Sequence, residues 1–318
     1  MGAETISNVP KRCRLPNDME IAYQSRAEVA FFYTDIFEKQ IYLKHGITLR
    51  DGDCIFDVGA NIGFFTLFAH QRVRDLKIYA FEPAPPLFEI LSQNAAQHGV
   101  EARLFNCGIS SRSGAATFTF YPNSSGMSSF YPDEKEEKDA LQAIMLNQLR
   151  QGMAGMEQVM RHAGDLLDER FKSLTYECRL RTISEIILEE RVERIDFLKI
   201  DVQKSELDVI EGIAETDWPK IRQLVVEVHD FNGRLEQISD HLRARGFQVA
   251  IEQDDHYEKS MLYNVFARRE TPDGARGGGR NLVRVNETSL KQIHDRAKKH
   301  GAALNRGKQV LEQRKKGK

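Results

Sequence analysis

The densest chemistry in the chain lies in Asp57-Val58-Gly59-Ala60-Asn61-Ile62-Gly63, a loop between the apolar run Cys54-Ile55-Phe56 and a helix-length segment, Phe64 to Gln71. Glycines at 59 and 63 permit a tight turn and a close approach of backbone to a ligand. After the next apolar run stands Glu82-Pro83. An acid roughly 20 residues beyond such a loop can accept hydrogen bonds from both ribose hydroxyls of an adenosine group. The spacing therefore predicts a nucleoside-containing cofactor. Charge separates the two candidates. A dinucleotide brings a pyrophosphate, and its loop reads G-x-G-x-x-G at a helix N-terminus. Here the spacing is G-x-x-x-G, and Asp57 opens the loop with no Lys or Arg before His70. Two unit charges about 4 Å apart interact by about 4 kcal/mol at an effective dielectric of about 20. A carboxylate beside a phosphate is thus penalised, whereas S-adenosylmethionine has no phosphate and carries a sulfonium and an ammonium. Asp57 and a second acid, Asp201, are expected to face that cation.

Seven apolar runs must position these residues: Cys54-Ile55-Phe56, Ile78 to Phe81, Arg103 to Phe105, Phe197 to Ile200, Leu224 to Val228, Phe247 to Ile251 and Leu262 to Ala267. Helix-length segments, Phe64 to Gln71, Pro86 to His98, Ser205 to Ile213 and Arg234 to Arg245, separate most of them. Strands alternating with helices predict βαβ units and a doubly wound, mainly parallel α/β sheet of seven strands. The last run follows too short a gap for a helix and is expected to return antiparallel. Apolar residues at helical spacing predict an N-terminal helix from Tyr23 to Leu43. The alternation breaks between about 115 and 180. Thr117-Phe118-Thr119-Phe120 reads as an extra strand, Asn123 to Ser129 as a small-residue loop, and roughly Lys135 to Arg170 as helical. An insertion of that size predicts a lid or a pocket wall.

At this point the residues resemble the FkbM-type class I methyltransferases, over about Tyr23 to Arg269. The resemblance rests on D-V-G-A-N-I-G-F-F-T-L (Asp57 to Leu67), F-E-P (Phe81 to Pro83), N-C-G-I-S (Asn106 to Ser110), I-D-F-L-K-I-D (Ile195 to Asp201) with S-E-L-D-V-I-E-G after it, and V-V-E-V-H-D (Val225 to Asp230). The segments Y-L-K-H-G-I-T-L-R-D-G-D (Tyr42 to Asp53) and L-Y-N-V-F-A-R-R further resemble the subgroup found beside or within polyketide and nonribosomal peptide synthases. The resemblance implies a Rossmann-like fold and O-methylation of a small-molecule or acyl-carrier-bound hydroxyl. One departure is visible. Where many members read K-I-D-x-E-G-x-E, this chain has Gln203-Lys204 before Ser205-Glu206, which removes a possible ligand and adds a cation.

An alcohol needs a base to be a nucleophile, and a base of near-neutral pKa contributes about 10²–10⁴-fold. His229 ends the fifth run and Asp201 the fourth, on the sheet edge where doubly wound folds bind ligands. We expect His229 as general base, Asp201 or Glu206 as its orienting acid, and Asn264 to orient the substrate oxygen. Asp57, Gly59, Asn61 and Gly63 are expected to line the cofactor loop and Glu82-Pro83 to hold the ribose. Asn106 and Cys107 are expected beside the adenine, with Met127, Ser128 and Ser129 closing over it. No metal ligands are assigned. A divalent ion such as Mg²⁺ held by Asp201, His229 and a further acid is the rival mechanism. From other classes, an NAD-dependent oxidoreductase and a silent docking module remain as alternatives.

Composition bounds the rest. With 318 residues, 41% hydrophobic and 29% charged, the chain is neither collagenous, wholly disordered nor a multi-span membrane protein. Cys13, Cys54, Cys107 and Cys178 form no C-x-x-C pair, so neither a zinc site nor a disulfide framework is expected, and a cytoplasmic location fits. The net charge of −2 hides an acidic body and a basic tail: residues 1–270 carry −11 and residues 271–318 carry +9. The expected organisation is a disordered lead-in over 1–22, the catalytic domain over 23–270, and a Gly-rich linker with a basic helical tail over 271–318. The tail lacks aromatic residues for base stacking, so nucleic acid is not an expected partner. A carrier protein or synthase module is.

Overall fold

The computed structural model describes residues 11–150, 160, 163–253 and 261–269, so the expected tail and residues 1–10 lie outside the described residues. The chain divides into two compact units, one of Met1–Cys13 with Glu20–Glu270 and one of Arg14–Met19 with Thr271–Lys318. In the second unit the described residues form a turn, with the Leu15 amide donating to the Met19 carbonyl at 2.7 Å.

In the first unit the sequence alternation becomes a seven-stranded sheet. Its strands are Cys54–Val58 (β3), Lys77–Phe81 (β4), Ala102–Phe105 (β5), Phe197–Ile200 (β9), Gln223–His229 (β10), Gln248–Glu252 (β11) and Leu262–Arg268 (β12), in the order β11-β12-β10-β9-β3-β4-β5. From β10 to β5 neighbours are parallel, whereas β12 slots between β10 and β11, antiparallel to both. One face carries Phe56, Val58, Leu198, Ile200, Leu224, Val226 and Val228 into a dry core with Ile183, Ile186, Ile210, Ile238 and Leu242. Those partners sit on Ile183–Glu189 (α6), Glu206–Glu211 (α7) and Arg234–Ala244 (α8). The opposite face carries charge instead: Asp57 and Lys199 are register partners on β3 and β9, and Glu227 and His229 follow on β10. Aromatic rings roof that face, with Phe65 edge-on to Phe197 at 5.4 Å and Tyr42 edge-on to Phe65 at 5.3 Å. Phe65 belongs to Phe64–Arg72 (α2).

Two expectations are corrected. The lead-in is structured from residue 11, because Lys11–Arg14 (β1) and Glu20–Tyr23 (β2) form a two-stranded sheet. Ile21 and Ala22 are fully buried, and the Asn94 side chain of Pro85–Gln97 (α3) pairs with the Ala22 backbone like a neighbouring strand, at 2.7 and 3.0 Å. The N-terminal helix is shorter than its apolar periodicity: Arg26–Tyr33 (α1) ends in a π-type turn, Thr34–Glu38, and the chain then leaves helical geometry to place Tyr42 over the sheet. The insertion is rooted by a sheet of its own. Gly114–Phe120 (β7) pairs antiparallel with Leu174–Arg181 (β8), and Gly108–Ile109 (β6) joins β8 in parallel. Between them lie Glu134–Arg150 (α4) and Ala163–Arg170 (α5), packed through Tyr121, Met145, Leu167 and Phe171. Strand β8 and helix α6, which opens with a Thr182/Glu185 capping box, were not read from the sequence.

Candidate active site

A cavity of about 930 Å³ opens at the carboxyl ends of β3, β4, β9 and β10, walled by α1 and the insertion. Gly59, Asn61, Glu82, Pro83, Cys107, Ser128, Asp201, His229 and Asn264 all line it, as do Met127 and Ser129. Four candidates do not. Gly63 faces the protein, where a Cβ would come within 2.8 Å of Leu91 while φ is +93°, so its glycine serves the helix start. Asn106 turns its amide onto the Glu82 and Pro83 carbonyls at 2.8 and 3.0 Å and so braces the end of β4. Glu206 lies behind His229 and has no exposure. Asp57, also without exposure, is the main correction.

The sequence reading turned Asp57 toward a cation on the cofactor. The structure supplies the cation from the chain: Lys199 Nζ lies 2.9 Å from Asp57 Oδ1, and Thr66 donates to Oδ2 at 2.7 Å. Lys199 also donates to the Gly59 carbonyl at 2.9 Å, tying the loop to β9. Burial works against the ammonium, but the Asp57 and Asp201 charges outweigh it and hold Lys199 above its ordinary value. Gly59 has φ +76°, and a Cβ there would lie 1.9 Å from the Asp201 carbonyl. Backbone crowding between two strand ends therefore requires this glycine, before any ligand arrives.

The remaining acids face the cavity. Glu82 accepts from the Asn61 amide through Oε2 and the Ala84 amide through Oε1, both at 2.9 Å, so its carboxyl is fixed at the end of β4 with lone pairs to spare. Burial pushes it up to about 7, against the pull of those two amides. Asp201 accepts from the Tyr42 hydroxyl at 2.5 Å and lies 3.7 Å from Lys199. Burial and the Asp201 charge push Tyr42 well up, which keeps its hydroxyl a donor. His229 Nδ1 sits 2.6 Å from Glu206 Oε1, and Arg234 holds Glu206 Oε2 at 3.0 Å. Against a carboxylate that also accepts from Arg234, Nδ1 is the donor of this contact. Of the two acids expected to orient His229, the one in contact is Glu206.

The insertion meets this edge at several points. Asn61 donates to Ser125 Oγ at 3.1 Å, and the Gly126 amide donates to Glu28 Oε1 at 3.0 Å. Ser129 donates to the Gln203 carbonyl at 2.7 Å, and the departing residue Lys204 pairs with Glu137 at 3.3 Å. Ser128 Oγ accepts from the Tyr121 amide at 3.0 Å, shaping the loop that walls the cavity. Among the described residues no group of three or more His, Cys, Asp or Glu side chains is arranged to hold a metal ion.

A model of the methyltransferase FkbM domain matches residues 57–249. The chain belongs to the FkbM methyltransferase family. It is 41% identical over 264 residues to the 31-O-demethyl-FK506 methyltransferase FkbM of Streptomyces tacrolimicus, covering 83% of this chain and 99% of that one. It is 36% identical over 262 residues to the AMB antimetabolite synthetase AmbE of Pseudomonas aeruginosa, covering 80% of this chain but 12% of the synthetase. It is 32% identical to the methyltransferase sdnD of Sordaria araneosa over 77% of this chain and 92% of that one. The matched FkbM domain takes in the Asp57 loop, Glu82, Asp201, Glu206 and His229, and ends before Asn264. Sequence reasoning passed over Lys199, Tyr42, Glu227 and Arg234. For Lys199 a signal existed, a lone cation inside the otherwise apolar run Phe-Leu-Lys-Ile.

Proposed function

We propose that this family member moves a methyl group from S-adenosylmethionine to a hydroxyl of a secondary-metabolite intermediate, free or carrier-bound, with His229 as general base. The observation that carries the reading is the His229–Glu206–Arg234 relay, whose imidazole lies on the same cavity as Glu82 and the Gly59 loop.

The site suits the cofactor. Glu82 offers acceptors for two ribose hydroxyls, and Asp201 and Glu82 give the cavity the negative lining that favours a sulfonium. That lining replaces the role first given to Asp57. S-adenosylmethionine, when bound, supplies an electrophilic methyl on a cationic sulfur. The chain's part is to hold the acceptor oxygen beside His229 Nε2, take up its proton there, and stabilise the resulting imidazolium through Glu206. Such positioning is worth up to roughly 7–11 kcal/mol. Choice of a hydroxyl acceptor is supported by the name of the Streptomyces relative, which specifies a 31-O position.

The test uses that relative's named compound, 31-O-demethyl-FK506, as probe acceptor. His229→Ala should cut turnover about 10²–10⁴-fold with cofactor affinity near wild type by calorimetry, and Glu206→Gln should follow in the same direction. If His229→Ala kept turnover within a few-fold, His229 would not be the base.

A further inference from the structure

Two groups on the cavity wall have no part in the scheme above. Glu227 precedes His229 by two residues on β10, on the same face, and Asn264 stands directly opposite Glu227 on β12. Asn264 Oδ1 is buried and has no hydrogen-bond partner among the described residues. A buried acceptor left unmade forfeits its hydration without return, so native structures keep few of them. On a cavity wall, such an atom is satisfied by what enters the cavity. Glu227 is the complementary half. Burial pushes its carboxyl well up, the Asp201 and Glu206 charges add to this, and Lys199 opposes it. A neutral carboxyl has an O–H to give as well as an oxygen to accept. Opposed residues of an antiparallel pair hold their Cβ atoms about 4.5–5.5 Å apart. One hydroxyl can span that gap, donating to Asn264 Oδ1 and accepting from Glu227.

We propose that Glu227 and Asn264 form a second polar subsite, which grips a hydroxyl of the acceptor other than the one that receives the methyl group. The subsite rests on the reading of His229 as base, because its place relative to that base sets the substrate class. Residues two apart on a strand are separated by about 6.6 Å. Allowing a hydrogen bond of about 2.8 Å at each end, the gripped hydroxyl can lie within a few ångströms of the reacting one. The favoured acceptor is therefore polyhydroxylated at the reacting end rather than a simple alcohol. Because burial and the Asp201 and Glu206 charges favour the protonated form of Glu227, an uncharged group suits the subsite. A ligand ammonium would instead require Glu227 to ionise.

The test has an arm that needs no acceptor. The isotope-labelled full chain is titrated with propane-1,2-diol and separately with propan-1-ol, following the Asn264 side-chain amide by NMR. The diol should shift that signal saturably and at lower concentration than propan-1-ol, which offers a hydroxyl to the subsite but none to His229. Glu227→Ala should abolish the diol response, while Glu227→Gln, which keeps a neutral donor and acceptor, should retain it. Asn264→Ala should melt at the wild-type temperature, since Oδ1 has no partner to lose, so its defects are not those of unfolding. In turnover with 31-O-demethyl-FK506, Asn264→Ala and Glu227→Ala should raise KM for the acceptor about tenfold with cofactor affinity unchanged. No shift with the diol at lower concentration than with propan-1-ol, or Glu227→Gln as deficient as Glu227→Ala, overturns the subsite. If the wild-type chain fails to methylate the probe, the choice of acceptor fails, and the titration still decides the subsite.

Discussion

Replacing Glu82 with glutamine should change how stability depends on pH. The fold holds this carboxyl at about 7 instead of 4.5, mainly by burial, with the Ala84 and Asn61 amides pulling the other way. A raised native value means that the native chain keeps its proton through an interval in which the unfolded chain has already lost it. The contribution to stability is complete below about 4.5 and is lost as pH rises to about 7. Each pH unit in that interval is worth about 1.4 kcal/mol, so on the order of 3 kcal/mol disappears across it. Glutamine stays neutral and cannot show the loss. Urea denaturation of both proteins at closely spaced pH values gives the difference directly, and groups that titrate alike in both cancel. The stability of Glu82→Gln relative to wild type should climb by on the order of 3 kcal/mol between pH 4.5 and 7 and level off above. A flat difference refutes the burial argument. Cofactor binding reads the same carboxyl from the other side: affinity for S-adenosylmethionine should tighten as wild-type Glu82 ionises near pH 7, and lack that rise in the variant. If wild type showed no such rise, Glu82 would not be the ribose acceptor.

Lys199→Met strands Asp57 as an unpaired buried charge and should cost about 3–5 kcal/mol in urea denaturation, while Lys199→Met/Asp57→Leu recovers most of it; equal stability of the two variants would show that the stranded Asp57 charge is not what destabilises the single variant. Gly59→Ala forces a Cβ to 1.9 Å from the Asp201 carbonyl at φ +76°, so the loop must shift. Cofactor affinity should then fall roughly tenfold or more by calorimetry, and an unchanged affinity would mean that the loop is not part of the cofactor site.

The β-strands were legible because short apolar runs separated by helix-length segments admit few arrangements other than a doubly wound sheet. The antiparallel return of β12 followed from the short gap before it, but not its place between β10 and β11, which depends on pairing with both. Helix α6 announces itself in Thr182-Ile183-Ser184-Glu185, a capping pattern overshadowed by the neighbouring insertion. For the site, Glu82, Asp201 and His229 were readable from their places at strand ends. Asp57 misled because its charge was weighed against residues near it in sequence, and its partner lies 142 residues away. Tyr42 meets Asp201 across 159 residues and gives no local sign. Glu227 was visible only as an acid sharing a strand face with His229, a period-two relation that a search for strand-end residues does not test.

The root of the insertion has a consequence for how such a chain can be altered. Gly114 and Leu180 are register partners at the outer end of the β7–β8 ribbon, so the segment leaves and rejoins the domain at one place. Whatever lies between those positions can grow, shrink or be exchanged without displacing its points of attachment, and doubling its length costs only about 0.6 kcal/mol in closure entropy. The insertion thus behaves as a cassette. A segment of β7, α4 and α5 exchanged with that of another member at this ribbon keeps its two ends in place, but it must also supply partners for Asn61, Glu28 and Gln203.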